Sequence, residues 1–221
     1  MLEVYQQALD EQESKSHVVF NQVVGQDKTK TSWRSLTGSI SYDLETEARY
    51  GDLLILGQPD PEQALSLNNG ITDGIIMSSG RPCLLIPYRG NGLAFGASPL
   101  IAWDGSREAS RAVHDALPFL KQSGKATILI VDPESVDIEF ADLPGAMISE
   151  HLARHDINVK VKVLSGGSKS TGDTILSYAD EYGHDLIVMG AYGHSRLREI
   201  VLGGATRAIM KASKVPVLMS H

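Results

Sequence analysis

Cysteine is nearly absent from this chain: Cys83 is the only one in 221 residues, so no disulfide forms within it and a disulfide-stapled secreted scaffold is excluded. Its surroundings, Pro82-Cys83-Leu84-Leu85-Ile86, read as a buried strand, which makes the thiol a packing group rather than a nucleophile. No apolar run approaches the roughly 18 to 20 residues of a membrane helix. Basic residues do not cluster either. With a formal net charge of −7 and no Lys/Arg face, the chain lacks the surface that recruits nucleic acid by counterion release. The opening stretch from Leu2 to Lys15 is polar and acidic, unlike the basic and then apolar start of a secretory leader, so cytoplasm is the expected setting. No Gly-Lys-Ser/Thr of a Walker loop occurs, and no Ser/His/Asp or Cys/His set has supporting context. His151 and His155 stand at the spacing of a helical metal pair, but no glutamate lies between them and no third ligand is evident, so no metal site is assigned.

What the chain does have is glycine in a telling place. Asp185-Leu186-Ile187-Val188-Met189 has the continuous apolar middle of a strand buried on both faces. Gly190 ends it, Gly193 follows in a loop, and Gly203-Gly204-Ala205-Thr206 opens a helix. A strand, a glycine loop and a helix N-terminus in succession present backbone N–H groups and the positive end of a helix dipole to an anion. The plain alternative is that these glycines serve only tight turns.

The Gly190-x2-Gly193-x9-Gly203 pattern resembles the glycine signature of the universal stress protein family. Ile101-Ala102-Trp103-Asp104-Gly105-Ser106 is similar to that family's first strand ending in an acidic residue, Ile128 to Asp132 to its second strand, and Val215 to Met219 to its last. The resemblance implies a domain over residues 98–221 with an α/β fold of the adenine nucleotide α-hydrolase type: a doubly wound parallel five-stranded sheet in the order 3-2-1-4-5. It also implies ATP as ligand, with any Mg²⁺ brought by the nucleotide. By the same resemblance Ala102 lines the adenine wall, Val131 offers backbone groups to the adenine edge, and Met189, Gly190, Gly193, His194, Gly203, Gly204, Ala205 and Thr206 surround the phosphates. ATP-binding members carry Ser or Thr where this chain has Gly204, a loss of about 1 kcal/mol in hydrogen bonding. Thr206 is expected to supply a hydroxyl instead.

Two roles stand open for Asp104: a carboxylate for ribose or adenine, or the start of the following helix, since Asp-Gly-Ser is ordinary helix-start chemistry. His194 or Arg196 reaches a terminal phosphate, or the segment with Ser195 and Arg198 is a solvated loop. Trp103 alternates with Ala102 and Asp104, which points it under a helix rather than onto adenine. No general base is identifiable, so hydrolysis is at most slow.

An internal repeat is visible as well. Tyr50-Gly51-Asp52-Leu53-Leu54-Ile55-Leu56-Gly57 parallels Tyr182 to Gly190, and Arg81-Pro82-Cys83-Leu84-Leu85-Ile86 parallels Lys214 to Met219. Gly57 to Gly70 repeats the distance from Gly190 to Gly203, which sets Asp60 against Gly193 and Ile71 against Gly204. Residues 1–90 then read as an incomplete, degenerate repeat that is not expected to hold nucleotide, since a carboxylate and a β-branched side chain face the place of a phosphate. It opens with an amphipathic helix and reaches a strand near Trp33 to Leu36, so residues up to about 40 are expected to pack irregularly, to swap, or to be completed by another chain. Arg89-Gly90-Asn91-Gly92 and Gly96-Ala97-Ser98-Pro99 form the joint. Beyond it the expected elements are a helix capped by Ser106 and running past Leu120, a strand at 126–131, a helix at 146–155, a strand through Val159, Val161 and Val163, and helices at 173–182 and 203–212. The leading reading is a stress-response protein that binds an adenine nucleotide as sensor or scaffold. The competing one is an interaction module with a vestigial pocket, in which the edge strand Val215 to Met219 pairs with a second copy or, as an internal pseudo-dimer, with Pro82 to Ile86.

Overall fold

A computed structural model describes residues 2–24, 30–36, 40–59, 69–89, 95–132, 145–165, 167–193 and 203–221. In chain order the elements are α1 (Leu2–Val24), α2 (Ile40–Ala48), β1 (Leu54–Gly57), α3 (Asn69–Ser78), β2 (Cys83–Ile86), β3 (Pro99–Ala102), α4 (Arg107–Asp115) and α5 (Leu117–Ser123). They continue with β4 (Lys125–Val131), α6 (Ala146–Ala153), β5 (Asn158–Leu164), α7 (Thr171–Glu181), β6 (Leu186–Gly190), α8 (Gly204–Ala212) and β7 (Val217–Ser220).

All strands join one seven-stranded sheet in the order β1-β2-β7-β6-β3-β4-β5. The five C-terminal strands pair in parallel throughout, as strands separated by crossover helices must. Their order is the 3-2-1-4-5 arrangement the sequence implied. Both faces of the central strands are covered, which is why β2, β3, β4, β6 and β7 carry continuous apolar runs. Ile101, Ile128, Ile130 and Val188 pack under α4, α5 and α6 through Ala112, Val113, Leu120 and Leu152. Leu100, Leu129, Ile187 and Met189 point the other way, against Ile75 of α3, Ile175 and Ala179 of α7 and Ile209 of α8. Trp103 packs half-buried on the first of these clusters, beneath the helices.

The expected helix from Ser106 past Leu120 is two helices. Ser106 caps α4 by accepting from the Ala109 N–H, but α4 ends at Ala116 and Pro118 sits in the first turn of α5. A proline there has no N–H to continue the ladder and its ring crowds the preceding turn. Gly124, at φ 66°, closes α5 in the left-handed conformation.

The N-terminal half corrects one expectation. Residues 31–36 form no strand. A strand needs a ladder partner, and this stretch packs its aromatic residue on α1 instead: the Trp33 ring lies 5.4 Å from Phe20 and 5.1 Å from His17. The strands this half does contribute are β1 and β2, which are parallel to each other. β2 runs antiparallel to β7, with Cys83 opposite Met219, Leu84 opposite Leu218 and Leu85 opposite Val217. Pro82 to Ile86 thus meets the last strand within the chain itself.

Around Leu84 and Leu218 the hydrogen bonds of the two halves correspond. Leu54 N–H donates to Pro82 O at 2.9 Å and Gln58 N–H to Ile86 O at 2.7 Å; their counterparts are Ile187 N–H to Pro216 O at 3.0 Å and Ala191 N–H to Ser220 O at 2.8 Å. Ser79 N–H donates to Ile75 O and Ser213 N–H to Ile209 O, both at 2.9 Å. Arg81 N–H and Val215 N–H each donate to the serine hydroxyl two residues before, both at 3.3 Å. Carried along α3 and α8, this correspondence sets Thr72 against Thr206 and Gly70 against Gly204. The sequence pairing of Gly70 with Gly203 and of Ile71 with Gly204 is therefore displaced by one position, the C-terminal loop being the longer.

Cys83 is 1% exposed in β2. Burial pushes its thiol up from 9.0 to about 12, with a Ser79 hydrogen bond opposing. Because the folded state favours the protonated thiol, the associated stability is complete below pH 9.0 and is lost as pH rises towards about 12. Cys83 is accordingly expected to resist a disulfide reagent at about pH 8 until denaturant is added, since the thiolate is the reactive form. A Cys83→Ala variant should lose part of the alkaline fall in denaturation midpoint; native reactivity equal to that of a free thiol would contradict the packing.

Candidate functional site

The crevice lies beyond the carboxyl ends of β3, β4 and β6, the place where parallel α/β sheets receive ligands. Three stretches converge there. At the end of β3, Ala102 stands in register with Met189 of β6 and Leu129 of β4, and the Trp103 N–H donates to Leu129 O at 2.9 Å. Val131 ends β4. Asp132 then adopts φ 50° and donates its N–H to Leu164 O at 2.8 Å. Tyr192, just beyond β6, adopts φ 56°. A left-handed conformation costs a non-glycine residue about 1–2 kcal/mol, and such residues gather where a loop is held for a purpose.

Asp104 is exposed, and the structure ties one of its oxygens into the start of α4. Its Oδ1 accepts from the Ser106 N–H at 3.0 Å and the Ser106 hydroxyl at 2.6 Å, while Ser106, not Asp104, caps the helix. The other oxygen faces the glycine loop. A Cβ on Gly193 would stand 3.8 Å from Asp104 Oδ2 and 3.7 Å from Glu108 Oε2. Glu108 is buried, with Oε1 accepting from Arg107 Nε at 2.7 Å. The loop is therefore flanked by two carboxylates, which disfavour a bare polyanion and favour one that arrives with a divalent cation.

Gly190 answers to packing. A Cβ there would lie 2.5 Å from Ala109 N and 2.7 Å from Glu108 C, so the end of β6 presses directly on the first turn of α4. A Cβ on Gly203 would make ordinary contact with Thr206 Oγ1 at 3.6 Å and Tyr192 Cα at 3.9 Å, whereas among the described residues nothing lies within 4 Å of one on Gly204. Gly203 is half-buried and Gly204 exposed at the N-terminus of α8. The first bond that closes on this turn is Arg207 N–H to Gly203 O at 3.2 Å, which puts the N–H groups of Gly204, Ala205 and Thr206 ahead of the helical ladder.

Thr206 is 3% exposed, and its hydroxyl is turned to the loop, accepting from the Tyr192 N–H at 3.3 Å. Sequence reasoning named Thr206 but missed Tyr192, Glu108 and Gly172. A Cβ on Gly172 of α7 would meet Ala208 Cβ at 2.8 Å and Ala205 O at 3.0 Å, so this glycine sets how closely α8 approaches α7. No local signal marks such residues, because the neighbours that define them lie far along the chain. His194, Ser195, Arg196 and Arg198 lie outside the described residues. His151 and His155 form a ring pair at 5.0 Å on α6; burial first, and then the charges of Lys121 and neighbouring histidines, lower the pKa of His155. Among the described residues, no group of three or more potential ligands could hold a metal, and no helix is long and apolar enough to cross a membrane.

The counterpart of this loop in the N-terminal half shows what Tyr192 contributes. Thr72 Oγ1 is buried and, among the described residues, has no hydrogen-bond partner; the position matched to Tyr192 by the hydrogen bonds above is Pro59, which has no N–H to give. Replacing Thr72 with Val is expected to raise stability by about 1 kcal/mol, whereas Thr206→Val should lower it by about 1–2 kcal/mol. Urea denaturation of both variants reads the difference; equal effects of the same sign would contradict the assignment.

The family model of the universal stress proteins matches residues 100–221, the stretch that carries every element of this crevice. The chain belongs to the universal stress protein family. Universal stress protein Slr1230 of Synechocystis sp. is 29% identical over 154 residues, covering 65% of this chain and 48% of that protein. The chain thus spans about half the length of that relative. A universal stress protein from Archaeoglobus fulgidus has the same fold at 18% identity and a TM-score of 0.71, over 96% of this chain and 78% of that one. A universal stress protein solved in complex with cAMP is 26% identical, with a TM-score of 0.40 over 56% of this chain and 95% of that one.

Proposed function

We propose that this universal stress protein binds an adenine nucleotide, Mg²⁺-ATP, between the Ala191–Gly193 loop and the N-terminus of α8, and serves as a sensor or scaffold in a cytoplasmic stress response. One observation carries the reading: three N–H groups of α8 lie ahead of its ladder, at Gly204, where no described atom would crowd a side chain and a polyphosphate is stabilised by the helix dipole. Ala102 and Met189 form the adjoining floor and Val131 its far edge. The carboxylates of Asp104 and Glu108 beside Gly193 account for the metal: the residues fit a nucleotide that carries its own cation. The reading contains no hydrolytic step.

Calorimetric titration with ATP and ADP tests this, with and without Mg²⁺. Mg²⁺-ATP is expected to bind more tightly than free ATP. Gly204→Ser, which adds the hydroxyl that ATP-binding members carry, is expected to tighten binding about fivefold. Absence of heat at high nucleotide concentration would sink the ligand claim and leave the fold intact.

We also read residues 1–90 as an incomplete repeat of the unit at 98–221, supported by the corresponding hydrogen bonds on either side of Leu84 and Leu218. A second functional reading rests on the same seam. With β2 on β7, the last strand is satisfied internally, which suits an interaction module with a vestigial pocket. Gly204→Ser separates the two readings, since it leaves affinity unchanged in a vestigial pocket.

A further inference from the structure

Beyond β6 the chain is held through successive backbone groups. The Ala191 N–H donates to Ser220 O at 2.8 Å, where β7 lies in register with β6 and Ser220 stands opposite Gly190. The next two groups belong to one peptide unit, the one that joins Ala191 to Tyr192. Its N–H donates to Thr206 Oγ1 at 3.3 Å, and its carbonyl oxygen lies 2.9 Å from Nδ1 of His221, the residue after β7. A carbonyl oxygen can only accept, so the His221 ring carries a proton on Nδ1 and donates it. Across a trans peptide N–H and C=O point in opposite directions. With the N–H turned to the first turn of α8, the carbonyl is therefore turned to the end of β7. The His221 ring is exposed and meets the Tyr192 ring edge-on, with 6.5 Å between centroids and 71° between planes. Its strand is anchored in turn: Ser220 Oγ donates to Asp115 Oδ2 at 2.9 Å, and the same carboxylate oxygen accepts from Arg111 Nε at 2.8 Å.

We infer that His221 is a positioning residue for the proposed nucleotide site: by donating to Ala191 O it holds the Ala191–Tyr192 peptide with its N–H, and not its carbonyl, turned to the N-terminus of α8. The competing arrangement is a flip of this one peptide plane, which exchanges the directions of the two groups. Flipped, the Ala191 carbonyl would bring its partial negative charge to the start of α8 and compete with an anion for the same N–H groups. The flip has a driving force. Tyr192 sits at φ 56°, in the left-handed region, which a residue with a side chain keeps only where its surroundings over-determine it, and the flip would return it to negative φ. Thr206 and His221 oppose it from the two sides of the peptide. The N-terminal half lacks both groups together. The hydrogen bonds that match Gln58 to Ala191 and Ile86 to Ser220 set Pro59 against Tyr192 and Pro87 against His221. Pro59 has no N–H to give and Pro87 no side-chain donor. Thr72, the counterpart of Thr206, has no partner for its hydroxyl among the described residues. Where it concerns nucleotide, this inference rests on the function proposed above, but the orientation of the peptide is measurable without any ligand.

The experiment compares the full chain with His221→Ala, His221→Phe and His221→Asn, with Glu150→Gln on the exposed face of α6 as control. Phenylalanine keeps a ring beside Tyr192 but has no donor, whereas the asparagine side-chain amide puts an N–H close to the place of Nδ1. The tautomer of His221 is read from the ring nitrogen shifts of ¹⁵N-histidine-labelled protein at about pH 8, where an ordinary imidazole is neutral. Amide hydrogen exchange at Tyr192 is measured without ligand, Mg²⁺-ATP affinity by titration, and global stability by urea denaturation. Expected is a His221 ring protonated on Nδ1. In His221→Ala and His221→Phe, exchange at Tyr192 is expected to be about fivefold faster and Mg²⁺-ATP binding about fivefold weaker, the effect of one hydrogen bond between neutral groups. His221→Asn should recover most of both, and Glu150→Gln should change neither. A proton on Nε2 alone would overturn the inference, as would a His221→Phe chain that behaves like the native one or a His221→Asn chain no better than His221→Ala. So would faster exchange that merely follows a loss of global stability, or unchanged affinity in a chain that binds nucleotide. If the full chain takes no nucleotide, the proposed function fails while the tautomer and exchange measurements still decide the role of His221.

Discussion

Gly190→Ala is expected to lower the free energy of unfolding by about 3 kcal/mol, a larger cost than any other single methyl group added around the crevice. The methyl would sit 2.5 Å from Ala109 N and 2.7 Å from Glu108 C. Both are backbone atoms of α4, so no side-chain rotation relieves the overlap, and either β6 or the start of α4 must move. That movement also displaces the Asp104-Ser106 turn, because Ser106 caps the same helix. The internal control is Gly204→Ala. Nothing lies within 4 Å of its Cβ, and alanine in a first helical turn is neutral or favourable by up to about 1 kcal/mol. Chemical denaturation of the two variants should therefore give effects of very different size. An unperturbed midpoint for Gly190→Ala would mean that α4 does not rest on β6 as described.

Leu84→Asp is expected to open the seam between the two halves. Leu84 is 3% exposed and Leu218 0%, and the two face each other where β2 meets β7. A carboxylate at that position has no partner among the surrounding apolar side chains. Leaving an unpaired charge buried costs about 3–5 kcal/mol, so the strands separate rather than bury it. The five parallel strands retain their own ladder and helices, whereas β1 and β2 retain only each other and α2 and α3. Limited proteolysis is expected to cleave the variant within the first ninety or so residues while sparing the region matched by the family model. Cys83, next to the substitution and otherwise buried, becomes reactive towards disulfide reagents under the same conditions. Loss of both halves in one cooperative transition would show instead that the seam belongs to a single folding unit. The mirror variant, Leu218→Asp, is expected to be worse, because β7 belongs to the five parallel strands as well as to the seam.

Seam and crevice differ in how far they could be read from residue order. The strand at Leu186–Gly190 was legible because a strand buried on both faces leaves an uninterrupted apolar run, and the helix opening at Gly203-Gly204 because glycine pairs interrupt such runs. The pairing of Pro82 to Ile86 with Val215 to Met219 was legible as one of two ways to satisfy an edge strand. The strand expected at 33–36 was not realised, since apolar and aromatic residues alone do not supply a ladder partner, and Trp33 rests on α1 instead. The single long helix past Leu120 failed for a local reason, the proline in the first turn of α5.

Family membership was legible in glycine spacing and strand pattern, which are properties of neighbours in sequence, and the strand order came with the resemblance to the family. The role of each glycine was not. Gly190 and Gly204 look alike in a motif, yet one is closed by a helix backbone and the other has no described atom within 4 Å of its Cβ position. Nor did residue order reveal that Thr206 holds Tyr192, or that Gln58 caps the far end of α8. Those contacts join residues far apart along the chain. The second of them exists because β2 pairs with β7 and so brings Gln58, just beyond β1, to the end of α8.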